Sequence, residues 1–128
     1  MGCAAALAML DCLIEDGLLA RAEVIGARIR KRLVALAARV ALIGEVRVIG
    51  ALAGVELVRA DGTPARDEAE RVLYACLSAG LSFKVGQGNV LNLSPPLVIS
   101  DAELDLALDI LETAISAVAG HSHGTAVP

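Results

Sequence analysis

Aromatic side chains are almost missing from this chain of 128 residues, which has no Trp, one Tyr and one Phe. Any core must therefore be made of Leu, Val, Ile and Ala. The scarcity also argues against nucleic acid as a partner, because single-strand binding interleaves cations with flat rings on which bases stack. The basic run from Arg21 to Arg39 reads instead as a solvated helix face. Histidine is as scarce. His121 and His123 both lie in the closing stretch "GHSHGTAVP", so no Ser/His/Asp or Cys/His set can be assembled, and two histidines without a third ligand are not expected to hold a metal. No glycine pattern opens a helix as a dinucleotide fingerprint does, and no P-loop lysine follows one. The lysines are two, Lys31 in "RIRKR" and Lys84 in "LSFKVG".

The apolar beginning "MGCAAALAMLDCLI" lacks the basic region of a signal peptide, and Asp11 interrupts it too early for a membrane span. Ala6 stands where a myristoylation signal wants Ser or Thr. The segment reads as a buried helix. Cys3, Cys12 and Cys76 have no metal-ligand spacing and are expected as buried free thiols in a reducing cytoplasm.

What the chain has in quantity is aliphatic surface. Hydrophobic residues make up 56% of it and the mean hydropathy is +0.68. On a single small domain such a surplus implies either that another domain or subunit covers part of it or that an Ala-rich composition inflates the index. The net charge of −4 is unevenly spread. Residues 21 to 39 hold six basic residues against Glu23, whereas the stretch from Asp101 to Glu112 holds five acidic residues and no basic one.

Periodicity divides the chain into eight elements. A helix over 3–15 breaks at Asp16-Gly17, and a second carries Leu18, Ala22, Ile25, Ile29, Leu33 and Leu36 at spacings of three and four. β-branched residues then dominate, predicting strands near 45–49 and 52–59 that end at an Asp61-Gly62 turn. Thr63 as N-cap and Pro64 at the first helical position open a third helix, striped by Ala69, Val72, Leu73, Cys76 and Leu77 and closed at Gly80. "LSFKVG" and "NVLNLS" read as two strands around Gly86-Gln87-Gly88. Ser100 and Glu103 form a capping box for a last helix that buries Leu104, Leu108, Leu111, Ile115 and Val118. Residues 120–128 are expected as a mobile tail. The result is an α+β domain, a small mixed or antiparallel sheet with helices on one face and the other face uncovered.

The stretch "GNVLNLSPPLVIS" holds the clearest site signal. Alternation puts Leu91 and Leu93 on one side of a strand and Val90, Asn92 and Ser94 on the other, and Pro95-Pro96 ends the ladder because neither can donate to it. A polar wall and an ordinary solvent-facing strand side fit this pattern alike. Glu56, within an apolar strand, either pairs with an arginine or faces solvent.

Three stretches carry a resemblance: "GCAAALAMLDCLIEDGLLARAEVIGARIRKRL", "IGEVRVIGALAGVELVRADG" and "GNVLNLSPPLVISDAELDLALDILETAI". In order and spacing they resemble the C-terminal part of class III pyridoxal-phosphate aminotransferases, the group of 4-aminobutyrate, ornithine and other ω-amino-acid transaminases. The likeness runs from Gly2 to about Ala119. It implies the C-terminal small domain of a fold type I enzyme, with residues 1–17 ending an interdomain helix and 18–119 forming the domain. Met1 then looks like a truncation point or misplaced start. The implied enzyme is a cytoplasmic homodimer that moves an amino group from an ω-amino acid or amine to a keto acid, while related members act as lyases, decarboxylases and racemases.

The resemblance also implies what this chain leaves to others. The Schiff-base lysine, the aspartate at the pyridinium nitrogen and most phosphate ligands lie in the large domain of such enzymes, so this chain by itself is expected to be inactive and to bind no pyridoxal phosphate. Many members carry, at the position of Asn92, an arginine that grips a substrate carboxylate. Asn92 is neutral and lacks that planar fork, which puts recognition of 2-oxoglutarate in doubt. Lys84, just before the glycine-rich turn, is the nearest cation; either it or the turn amides are expected to meet the acceptor's carboxylate, or the acid site lies elsewhere, and Asn92 is expected to look toward the substrate entrance. The competing reading is a non-catalytic α+β interaction domain that binds a partner subunit through its open sheet face.

Overall fold

The computed structural model describes residues 1–121. Four helices and four strands follow in the order α1 (Gly2–Glu15), α2 (Leu18–Ala37), β1 (Ile43–Ile49), β2 (Leu52–Leu57), α3 (Arg66–Ser78), β3 (Lys84–Gly86), β4 (Val90–Leu93) and α4 (Asp101–His121). The strands make one sheet in the order β1-β2-β4-β3, with every neighbouring pair antiparallel. The expected α+β class, with an antiparallel sheet, is what the chain forms.

Alternation along the two central strands divides the sheet's faces. Ala53, Val55 and Leu57 of β2 and Leu91 and Leu93 of β4 are buried, and they face the helices. Helix α2 lies against β1 and β2, α3 against β2 and β3, and α4 packs on both α2 and α3. Ile25, Ile29, Leu33 and Leu36 of α2 join Leu104, Leu108, Leu111 and Ile115 of α4 in a single aliphatic core. No helix among the described residues covers the other sheet face.

Two hairpins set the register. Gly50 and Ala51 connect β1 to β2, with Gly50 at φ +51°. Gln87, Gly88 and Asn89 connect β3 to β4, with φ of +52° at Gln87 and +84° at Gly88, the positive values that a tight hairpin turn needs to match strand twist. Asn89 locks this turn onto β2. It is buried, its side-chain amide donates to the Leu57 carbonyl at 2.9 Å, and the Leu57 N–H donates to the Asn89 carbonyl at 2.9 Å.

Helix α2 approaches the first hairpin at Gly26. A Cβ there would overlap the Gly50 carbonyl oxygen, a backbone atom fixed by the turn. Gly26→Ala is therefore expected to destabilise the chain by about 1–3 kcal/mol through overpacking. Urea unfolding checks this, and a change inside about 0.5 kcal/mol, the range of neutral surface substitutions, would mean that the hairpin yields freely.

Several expectations from the sequence need correction. The third helix begins at Arg66 rather than at Pro64, because Thr63 is engaged by Asp61: the Thr63 N–H and hydroxyl both donate to the Asp61 carboxylate, at 3.0 and 2.6 Å. Pro64 instead bridges to Val58. Strand β3 is three residues, without Leu81–Phe83, and β2 stops at Leu57. Helix α4 continues through Gly120 to His121, into the stretch expected as tail; His123 lies outside the described residues. The Ser100–Glu103 capping box is present, with the Ser100 N–H donating to the Glu103 carboxylate at 2.9 Å and the Glu103 N–H to the Ser100 hydroxyl at 3.2 Å.

Helix α1 forms as expected but is not buried: none of its residues is. Leu7, Leu10 and Ile14, at i, i+3 and i+7, share one face with Met9 on another, and all four are exposed, so α2, its one substantial neighbour, does not cover that face. Cys3 and Cys12 are exposed with them, and of the three expected buried thiols only Cys76 is inside, where loss of hydration pushes it up to about 11. No helix among the described residues is long and apolar enough to cross a membrane.

The basic run on α2 is not simply solvated. Arg21, Arg28, Arg32 and Arg39 recur at helical spacing and meet the acidic side of α4. Arg21 pairs with Asp101 at 2.7 Å, Arg28 with Asp105 at 3.2 Å, and Arg32 with Asp109 at 2.6 Å and Glu112 at 2.8 Å. The hydrogen bond from Arg21 holds the Asp101 carboxyl below its usual value. Exposed pairs each contribute little, but four in series fix α2 and α4 side by side in the same direction.

Candidate substrate-facing sheet surface

The cross-strand register brings the two residues singled out in the sequence into contact range. Lys84 of β3 is directly opposite Asn92 of β4, Asn92 is opposite Gly54 of β2, and Gly54 is opposite Arg47 of β1. Residues paired this way share a face. Arg47, Gly54, Asn92 and Lys84 therefore form one row across the uncovered face, and every polar side chain in it can donate a hydrogen bond.

Asn92 can occupy the middle of the row because its neighbours are small. A Cβ at Gly86 would come within 2.6 Å of the Asn92 side-chain amide nitrogen, so that amide lies over a bare glycine. On the other side, Gly54 leaves the space toward Arg47 open. A shallow depression of about 290 Å³ results, lined by Arg47, Ile49, Leu52, Gly54, Val90 and Asn92.

Arg47 was not singled out in the sequence, although the alternation in "GEVRVIG" puts Glu45, Arg47 and Ile49 on one strand side. It is the best-connected cation of the face. The guanidinium bonds the Glu45 carboxylate and, at 3.2 Å, that of Glu56. The question left open for Glu56 is thus answered by an ion pair. Hydrogen bonds to Glu56 and then Glu45 hold the Arg47 guanidinium further above its usual value, so it is permanently charged.

A second charged cluster sits at the opposite end of the sheet. Glu68, nearly buried, accepts from Arg59 Nε at 3.1 Å and Nη2 at 3.0 Å, with Arg71 at 3.7 Å. The Arg59 bonds keep the Glu68 carboxyl below its usual value. With its carboxylate taken up this way, the cluster ties β2 to α3. Among the described residues no group of three or more His, Cys, Asp and Glu is arranged to hold a metal.

A family model described as aminotransferase class-III matches residues 1–115. The chain belongs to that family. Among curated relatives it is 49% identical, over 92% of its length, to the (R)-1-hydroxy-2-aminoethylphosphonate ammonia-lyase of Vibrio splendidus (strain 12B01). It is 36% identical, over 91%, to a probable 4-aminobutyrate aminotransferase of Bacillus subtilis (strain 168). Its fold superposes on the solved structure of an Arthrobacter phospholyase in complex with phosphoethanolamine with a TM-score of 0.82 at 31% identity, covering 89% of this chain and 28% of that one. The chain spans 25% of the ammonia-lyase and 28% of the aminotransferase, so it corresponds to about a quarter of a class-III enzyme.

Members of the family use pyridoxal phosphate. A site for it takes a lysine free to form an imine, a carboxylate at the ring nitrogen and a cradle of donors around the phosphate. The described residues do not meet these needs. Lys84 is exposed on a three-residue strand, and the nearest carboxylates of its face, Glu45 and Glu56, are both committed to Arg47. Lys31 lies on α2, away from the open face.

Proposed function

We propose that this chain is the C-terminal small domain of a class-III enzyme that removes ammonia from a small amine carrying a phosphonate or phosphate group. The observation that carries this reading is the donor row Arg47–Gly54–Asn92–Lys84 with a neutral amide at its centre. Such a row offers two cations and an amide to an anionic group, without the guanidinium that class-III transaminases of the 2-oxoglutarate type place at position 92. The 49% identity to a phosphonate ammonia-lyase points the same way. In the complete enzyme a large domain supplies the lysine and holds pyridoxal phosphate, which acts as electron sink when bound. A second subunit closes the site. The task of Asn92, Lys84 and Arg47 is to bind the distal anionic group and so orient the amine.

Amino transfer from an ω-amino acid or amine to a keto acid is the second reading, favoured by the 36% identity to a 4-aminobutyrate aminotransferase. The two differ in stoichiometry. The test is to incubate the enzyme carrying this domain with (R)-1-hydroxy-2-aminoethylphosphonate or phosphoethanolamine, with and without 2-oxoglutarate or pyruvate. Ammonia release without any keto acid is the expected result. Turnover that needs a keto acid and returns its amino acid would replace the lyase reading with amino transfer, and no turnover under either condition would sink the lyase reading.

A further inference from the structure

We propose that Arg47 is the specificity-determining residue of the open face: it leaves Glu45 to grip the substrate's phosphonate or phosphate across Gly54, opposite Lys84. The inference rests on the function proposed above, which it deepens by saying which carboxylate Arg47 gives up for the anion and why an uncharged amine leaves it in place.

Position is the first argument. Neighbouring strands are about 4.8 Å apart, so Arg47 starts roughly 10 Å from Asn92 and an extended arginine covers most of that gap. The strand that separates them presents Gly54, so no side chain of β2 stands between them. A Cβ at Gly54 would find Val90 Cγ1 at 3.5 Å, ordinary contact distance, so the glycine is not required by packing. Its effect is to keep the path over β2 clear.

The second argument is how Arg47 is held. Its two carboxylates are unequal: the Glu45 side chain is 58% exposed, that of Glu56 34%. Glu45 is two residues away on the same edge strand and returns to water easily, whereas Glu56 reaches Arg47 from the neighbouring strand. A dianion arriving over Gly54 can displace Glu45 while Glu56 keeps the guanidinium aligned. A neutral group cannot compete with a carboxylate, so an uncharged amine leaves Arg47 where it is. The bound anion then meets a planar fork on one side, the Asn92 amide below and the Lys84 ammonium on the other side. Arg47 thus selects a charged substrate before any chemistry begins.

Titrating the isotope-labelled 128-residue chain with methylphosphonate, and following the Arg47 Nε–Hε, Gly54 N–H and Asn92 side-chain amide resonances by NMR, tests this. Saturable shifts at all three are expected. Arg47→Gln is expected to weaken binding about tenfold, as loss of a charge-assisted fork implies, and Gly54→Val to block it. Glu45→Gln is the diagnostic variant: removing the competitor tightens binding by roughly threefold, the scale of an exposed ion pair, whereas a merely structural pair would leave it unchanged or weaker. The proposal is overturned by wild-type affinity in Arg47→Gln, by shifts confined to Lys84, or by no saturable shift in the wild-type chain. Ammonia release by the whole enzyme alongside any of these results removes the role of Arg47 and leaves the lyase reading. Arg47-dependent binding without ammonia release does the reverse.

Discussion

Replacing Asn92 with arginine in the enzyme that carries this domain is expected to tighten its grip on 2-oxoglutarate, read as an inhibition constant against the phosphonate or phosphate amine, by about 10- to 100-fold, the worth of a hydrogen-bonded ionic contact of roughly 1.5–3 kcal/mol. The physical case is local. Residue 92 sits in the middle of the open face, its side chain lies over Gly86, and Gly54 leaves the other flank empty. A guanidinium placed there has room to extend, and it supplies two parallel donors to a carboxylate where Asn92 supplies one weak amide. Lys84, directly opposite, repels the new cation, and this holds the gain toward the lower end of the range. Steady-state kinetics with 2-oxoglutarate as a varied inhibitor check it. An unchanged inhibition constant would mean that this sheet face does not meet a substrate anion, and the assignment of Asn92 to the substrate wall would fall with it.

The largest loss of stability is expected from Leu33→Ala. Leu33 is fully buried at the contact of α2 with the sheet and α4, and truncation there removes apolar contact and leaves a cavity, a cost of about 2–5 kcal/mol. Against a total of about 5–15 kcal/mol for a domain this is enough to leave a large unfolded fraction. The neighbouring Val34 makes the control, since it is 51% exposed and Val34→Ala should stay within about 0.5 kcal/mol apart from helix propensity. Urea midpoints of both variants decide the matter. A loss below about 1 kcal/mol for Leu33→Ala, far under the range for buried leucine, would show that the aliphatic core repacks without its aromatic-free architecture being strained.

The elements whose signals are local were legible in the sequence. The stripe of Ile25, Ile29, Leu33 and Leu36, the Ser100–Glu103 box and the alternation at Leu91, Asn92 and Leu93 are each fixed within one or two turns or a few strand residues, and each appears where its pattern puts it. Errors came where a second local bond competed. Thr63 could cap a helix, but Asp61 took its hydroxyl and N–H, and the helix began later. The expected burial of α1 failed for a different reason, since burial depends on what surrounds a helix and not on its composition alone. The basic run on α2 and the acidic run on α4 were both visible, yet nothing within either run says that it faces the other.

The candidate site divides along the same line. By itself the sequence determined the family, a small sheet with one face uncovered, the side of its strand on which Asn92 lies, and the presence of a cation, Lys84, next to the glycine-rich turn. Only the tertiary structure decided that Arg47, seven residues from Gly54 in the chain and far from Asn92, stands in line with both, and that Glu45 and Glu56 hold it. The reason is register. Side-chain direction along one strand follows from its own period of two, but which residues stand side by side is set by two hairpins and by Asn89 pinned to Leu57. That pairing joins parts of the chain dozens of residues apart, which no local pattern records.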